Sequence, residues 1–434
     1  MGRCSKLYKV GDAAAVGLIN PYGLLCAALL SFTIIFQAAG RTLYAGANSR
    51  YKTISAAIAA ANTGDTIQVR QGIYKEGTIE IDKSIYLEGI NFPIIDGEAK
   101  QSIILVQANH VHIHGFTLSN SGTSNLDDRA GIKVLKSADC SFEKCNFRNT
   151  CFGCFLFNSR HCNIINNNFS GSAMNEMNSG GGIHLLHCDS CFISGNNISG
   201  HRDGIYFEFV THSIIRNNFS HNNIRYGLHF MFSDNDSYIQ NIFESNSSGV
   251  AVMYTKHIIM HGNDFLNNWG AASYGLYLRE ITECSITGNT FKKNTVGIEM
   301  EGTNKAAVTG NSFKDNGWAL KIVSDCDADT ITGNNFENNS FDVGAYGGNG
   351  HYYFNKNYWD DYSGYDLNGD GIGDVPFQPV SLFSVIVQEC PDAIVLLKSF
   401  IVQILNTAEN MIPAFTPSMD RDNAPLMKPL TIKT

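Results

Sequence analysis

The sequence predicts an all-β chain wound as a right-handed parallel β-helix, and three observations carry that prediction. The first is asparagine: 44 of the 434 residues are Asn, and 34 of them lie between Asn146 and Asn368. Asn is disfavoured inside helices and strands and favoured in turns. In a chain that is 44% hydrophobic, so many Asn imply many short elements joined at many corners. The second is a Gly followed by alternating apolar residues, at Gly131, Gly153, Gly182, Gly204, Gly227, Gly249, Gly275 and Gly297, with spacings of 22, 29, 22, 23, 22, 26 and 22. The third is an Asn one or two residues before an apolar position, at Phe147, Phe169, Ile198, Phe219, Phe243, Phe265, Phe291, Phe313 and Phe336, on the same beat. A unit this short cannot bury its own apolar side, so coils must stack and cover one another. Propeller blades need about 40 residues. Handedness follows from the general preference of β crossovers. Length alone would suggest about three domains of 150 residues; the repeat merges them into one solenoid.

The elements follow in order. Arg3, Lys6 and Lys9 precede an apolar run from Tyr22 to Phe36 and the small residues Ala38, Ala39 and Gly40, the pattern of a secretory signal peptide over 1–40. Residues 41–100 make an N-terminal cap and the first coils: Thr53–Ala60 has helical spacing, and Gly64-Asp65-Thr66-Ile67 opens a strand. The β-helix occupies 101–345, with loops expected at 173–179 and 269–273, where the spacing stretches. An aromatic, Asp/Gly-rich cap spans 346–380, and an apolar helical tail 381–434. Disorder is excluded by the hydrophobic fraction and a multispanning membrane protein by the lack of repeated long apolar runs. A net charge of −9 with no basic face argues against nucleic acid as a partner.

Twelve Cys, with Cys151-x-x-Cys154 and Cys188-x-x-Cys191, first suggest zinc or a disulfide set. Counting nine residues from each Gly instead puts Cys140, Cys162, Cys191, Ser213, Cys284 and Ala306 in one small-residue column, where Cys packs as a small hydrophobe. Side chains two and four residues after each Gly should point out of the coil. They are His184 and Leu186, Tyr206 and Glu208, His229 and Met231, Ala251 and Met253, Tyr277 and Arg279, Glu299 and Glu301. His184, Tyr206, Glu208, His229, Met231 and Met253 are therefore candidates for docking a partner, because Met and aromatic residues are enriched at interfaces. Holding copper transiently is the second reading of the same residues, because imidazole and thioether suit it.

Asp366, Asn368, Asp370 and Asp374 stand at positions 1, 3, 5 and 9 of a calcium-type loop with Gly371 at position 6, although position 12 is Phe377 and the bidentate Glu is absent. Bound calcium would stabilise the cap; a metal-free Gly/Asp turn is the plainer reading. From Pro391 to Glu409, Ile394, Leu397, Phe400, Ile401, Ile404 and Leu405 stand in a run with few polar positions. Such a helix should be buried against its own protein, a partner or lipid. Lys398 and Gln403 argue against a span, so docking to a membrane partner is expected.

Gly200–Val210 (GHRDGIYFEFV), Tyr226–Asp234 (YGLHFMFSD), Gly249–Lys256 (GVAVMYTK), Val296–Asn304 (VGIEMEGTN), Asn316–Ile322 (NGWALKI), Asn357–Phe377 and Ala424–Leu430 (APLMKPL) resemble the NosD family, over about residues 52–430. The resemblance implies a periplasmic parallel β-helix acting as an accessory protein in the maturation of nitrous oxide reductase. It further implies an ABC transporter made of a membrane subunit and an ATPase, a copper chaperone and the reductase as partners in assembling a copper–sulfur centre, with membrane association through the transporter. No ligand role for the His/Met stripe follows from it. The rival class is a uronate epimerase or lyase, with Arg202, Asp203, Tyr206, Glu208 and His229 near enough for acid–base work. The chain has neither an Asp-Pro-His-Asp motif nor several Asp on adjacent coils, so a non-enzymatic role is expected.

Overall fold

In the computed structural model, which describes residues 40–124, 127–177, 179–346, 352–411 and 421–432, each strand after the first pairs in parallel with the strand three places further along the chain. That order generates three sheets of 14, 12 and 13 strands among the described residues, the three faces of a right-handed parallel β-helix. The leader read at residues 1–40 lies, but for Gly40, outside the described residues.

The repeating Gly stands at the start of eight strands of the 12-stranded sheet for a steric reason. A Cβ on Gly153 would stand 2.4 Å from the Gly182 carbonyl oxygen and 2.3 Å from the Phe169 ring, and one on Gly249 would stand 2.4 Å from the Gly275 carbonyl oxygen. Inside, the aromatic column runs Phe243, Phe265, Phe291, Phe313, Phe336 and Trp359, with successive ring centroids 5.5, 4.5, 4.9, 4.9 and 4.2 Å apart. The coil pattern therefore continues to Trp359, past residue 345. Phe219 departs from the expected column. Its register pairs it with Asn197 and turns it outward, and Ser220 takes the inward place and donates to the Gly227 carbonyl.

The Asn divide into two physical kinds. Asn166, Asn217 and Asn222 occupy left-handed corners, with φ of 55, 54 and 51°, a region Asn tolerates. The second kind forms buried ladders. Asn167, Asn196, Asn218, Asn241, Asn263, Asn289, Asn311, Asn334 and Asn357 each accept through Oδ1 from the backbone N–H of the preceding rung, Cys145 N–H beginning the series. A second ladder runs from the His201 N–H through Asn223, Asn246, Asn268, Asn294 and Asn316 to Asn339. Both satisfy backbone donors that the bends would otherwise strand in the interior.

The ends are closed as solenoids require. A strand at Thr42–Ala45 precedes helix α1 (Ile54–Ala60) and pairs with Thr66–Val69, so the first coil begins upstream of the strand expected at Gly64. Thr53 caps α1, and the Glu76 carboxylate accepts from Ile54 N–H and Ser55 N–H. At the other end, residues 421–432 fold back onto the last coils. Asp422, fully buried, accepts from Asn357 N–H at 2.9 Å, Asn357 Nδ2 at 3.0 Å, Trp359 Nε1 at 3.1 Å and Lys356 N–H at 3.1 Å, and so ends the first ladder. Leu430 exchanges two hydrogen bonds with the Asn335 side chain.

Candidate functional site

Strand pairing aligns the outward residues of the 12-stranded sheet into columns. One reads Lys133, Phe155, His184, Tyr206, His229, Ala251, Tyr277, Glu299 and Lys321. The next, two residues further on, reads Phe157, Leu186, Glu208, Met231, Met253, Arg279 and Glu301. All six stripe candidates thus fall in two adjacent columns on consecutive coils. Met231 and Met253 are direct cross-strand partners, with backbones about 4.8 Å apart.

The stripe is not open in the way the alternation alone suggested. His184 is 8% exposed and His229 3%. The His184 ring lies among Phe152, Phe155 and Tyr206 at 5.5, 5.0 and 4.6 Å, and His229 lies between Tyr206 at 4.6 Å and Tyr226 at 4.9 Å. Facing out of the coil is therefore different from facing solvent: aromatic rings from the same and neighbouring columns close over both imidazoles. Burial, reinforced by the Arg202 guanidinium, pushes the His184 imidazolium down to about 3. Burial with Arg225 and Arg202 does the same to His229. Both are neutral near pH 7, and none of their four ring nitrogens has a hydrogen-bond partner. A neutral imidazole with a free nitrogen lone pair is a metal ligand or an acceptor. Tyr206 separates the two rings, and its single hydroxyl proton has two acceptors in reach, Glu208 at 3.2 Å and the Met231 sulfur at 3.4 Å.

Sequence reasoning missed the corner beside this face. His187, Phe209, Phe232 and Tyr254 follow the Met column by one residue and stack at 4.8, 5.1 and 5.2 Å. All four hold φ between 53 and 56° or just below, at 54, 53, 51 and 56° in chain order. Bulky side chains are uncommon in that region. Phe209, Phe232 and Tyr254 are exposed. The signal was a ring five residues after four successive repeat Gly.

The cap loop is held by its own backbone. Asp366 accepts from Gly369, Asp370 and Gly371 N–H, Asn368 from Asp370 N–H, Asp370 from Ile372 N–H and Asp374 from Leu367 N–H. Among the described residues no three His, Cys, Asp or Glu side chains are grouped as for a metal ion. The tail is a broken pair of helices, α2 (Leu382–Glu389) and α3 (Phe400–Met411), joined by a 3-10 turn at Pro391–Leu396. No helix among the described residues is long and apolar enough to cross a membrane. Val402 packs with Phe383 and Val387 on Val296, Trp318 and Phe341, the outer face of the sheet at its C-terminal end, and Leu397 and Leu405 lie against that cluster. Ile394, Phe400, Ile401 and Ile404 are not covered by the chain itself and are exposed.

Ten cysteines of the described residues are free, and the predicted column is buried throughout. Burial pushes the Cys145 thiol up to about 12. The acid–base set considered for a polysaccharide enzyme is largely shut: Asp203 is fully buried beside Arg202, whose Nε donates to it at 2.9 Å.

Solved structures share the fold. A surface adhesin of Streptococcus pneumoniae, PfbA, matches with a TM-score of 0.55 at 13% identity, over 69% of this chain and 94% of that one. The A-module of a mannuronan C-5 epimerase of Azotobacter vinelandii, AlgE6, matches with a TM-score of 0.50 at 14% identity, over 70% and 87%. At such identities the likeness concerns the fold alone. Two curated proteins, each described as a probable ABC transporter binding protein NosD, are 25% identical to this chain. That of Stutzerimonas stutzeri aligns over 81% of this chain and 85% of its own length, and that of Pseudomonas aeruginosa over 81% and 86%. Residues 170–364, which include the whole His/Met stripe and the aromatic corner, match the family model described as periplasmic copper-binding protein (NosD). In that matched segment and along most of its length, the chain is similar to NosD proteins.

Proposed function

We propose that the chain is a non-enzymatic periplasmic accessory protein of an ABC transporter, serving copper delivery to nitrous oxide reductase during assembly of its copper–sulfur centre. The observation that carries this reading is the exposed ridge of Phe209, Phe232 and Tyr254 running beside the paired Met231 and Met253, inside the segment matched by the copper-binding family model. Stacked rings and thioethers make a preformed docking surface of low conformational entropy. A copper chaperone or the reductase would sit on it. Copper is cargo here, and the paired thioethers of Met231 and Met253 fit it, because thioether sulfur favours Cu(I). The apolar tail, exposed at Phe400, Ile401 and Ile404, is the contact for the transporter's membrane subunit.

Burial weighs against the epimerase or lyase alternative. A polymer must reach the groups that exchange protons with it, and His184, His229 and Asp203 are at most 8% exposed. Calcium in the cap loop remains an auxiliary part of the proposal, its role confined to stiffening that loop.

The test is to mix copper-loaded chaperone with the purified chain, separate the two and measure the metal on each. Met231→Leu with Met253→Leu, which keeps side-chain size, should lower copper recovered on this chain or capture of the chaperone by at least tenfold. Equal transfer and equal capture by the variant would remove the Met/aromatic face from the function.

A further inference from the structure

At the N-terminal mouth of the solenoid, a cavity of about 380 Å³ is lined by Tyr44, Asn48, Ser49, Arg50, Tyr51 and Arg70, with Arg41 at its rim. It lies outside the segment matched by the family model and as far along the chain from the Met/aromatic face as the first coils allow. The local charge is opposite to that of the chain. Against a net charge of −9, three arginines converge here, and Lys52 lies one residue beyond, donating to the Ala47 carbonyl. Only Arg41 is committed, through two hydrogen bonds to the Asp65 carboxylate at 2.8 and 3.2 Å. Arg50 and Arg70 have no carboxylate within 4 Å among the described residues, and each guanidinium lies over a tyrosine ring, Arg50 over Tyr51 at 5.5 Å and Arg70 over Tyr44 at 5.8 Å. Ser49 lines the same cavity, is 9% exposed, and its hydroxyl has no partner. A buried hydroxyl without a partner is a donor in want of an acceptor. It shares the cavity with two guanidinium groups that have no carboxylate partner, and their planar forks suit oxyanions.

The geometry points to a binding site for a phosphate ester, in which Arg50 and Arg70 hold the phosphoryl oxygens, the Ser49 hydroxyl donates to one of them, and the organic part lies against Tyr44 and Tyr51. The volume supports an ester over the bare ion, because it falls within the range of about 300–1,000 Å³ typical of small-molecule pockets. Both a soluble phosphate ester and a phospholipid headgroup present this chemistry.

Calorimetric titration of the full chain with inorganic phosphate and with glycerol 1-phosphate, beside cosedimentation with phosphatidylglycerol and phosphatidylcholine vesicles, distinguishes the sources. Saturable binding of glycerol 1-phosphate, tighter than that of phosphate and weakened at least tenfold in Arg50→Gln with Arg70→Gln, is expected. Ser49→Ala, a smaller change, should weaken it about threefold and serves if the double variant fails to fold. Vesicle binding that shows the same dependence on these residues identifies a headgroup; soluble ester binding without it identifies a free metabolite. No saturable binding in either arm, or binding that the substitutions leave unchanged, overturns the proposal.

Discussion

At the scale of single residues, the environment matters more than the direction in which a side chain leaves the backbone. His229 faces out of the coil yet is nearly sealed between Tyr206 and Tyr226. Replacing it removes packing as well as a ligand, which makes Met231 and Met253 cleaner probes of docking. Asp236 is the inverse case: it points into the small-residue column at 0% exposure, accepts from Ser213 N–H at 2.7 Å and leaves its other oxygen unpartnered. Burial pushes this carboxyl up to about 8, against 3.8 for an ordinary Asp. The folded state therefore keeps a proton that the unfolded chain releases. Its contribution to stability is whole below about pH 4, falls as pH rises from there, and is lost above pH 8, at a slope of no more than about 1.4 kcal/mol per pH unit. Asp236→Asn keeps the acceptor for Ser213 and removes the titration. The melting temperature of the variant, measured at pH 5 and pH 9, should exceed that of the wild type at pH 9 by several degrees more than at pH 5. An equal difference at both pH values would contradict a buried neutral Asp236.

At the scale of elements, the two Asn ladders and the segment that ends the first of them show how the solenoid is terminated. Each rung lends an acceptor to the rung before it, so the last rung needs an acceptor from elsewhere, and Asp422 supplies it from 65 residues beyond Asn357. Asp422→Ala would strand the Asn357 and Trp359 donors in the interior and should cost about 3 kcal/mol or more; chemical denaturation is the measurement. Asp422→Asn should fall between, since its amide keeps one acceptor but sets a donor against donors. If Asp422→Ala unfolds at the wild-type midpoint, the terminal segment is not the cap. The repeat, its loops and α1 were legible in the sequence because Gly sterics and period-2 alternation are local. The cap was not, because a lone Asp in a polar terminal segment has no local pattern, and its partners are far away in the chain.

At the scale of the whole molecule, the fold makes a long wall with distinct chemistry at three places: a cationic mouth, a Met/aromatic face in the middle, and an apolar helical foot. Truncating the chain at 391 to test the foot would also delete Asp422 and unseat the solenoid's end, so substitution is the better probe. Phe400→Ser, Ile401→Ser and Ile404→Ser together leave Val402, Leu397 and Leu405 on their cluster. They should leave the melting temperature within about two degrees, because exposed positions contribute little, while abolishing copurification with the transporter from membranes; retained copurification would place the contact elsewhere. The sequence by itself determined the winding, since a 22-residue beat of Gly, Asn and apolar residues admits burial only by stacking coils. It also determined which residues share a column, Phe219 excepted, because register in a solenoid follows from repeat length. Only the tertiary structure decided which outward residues meet solvent: rings in adjoining columns bury His184 and His229, and left-handed corners project Phe209, Phe232 and Tyr254. Exposure is a property of the neighbours that close over a side chain, and those neighbours come from coils more than twenty residues away.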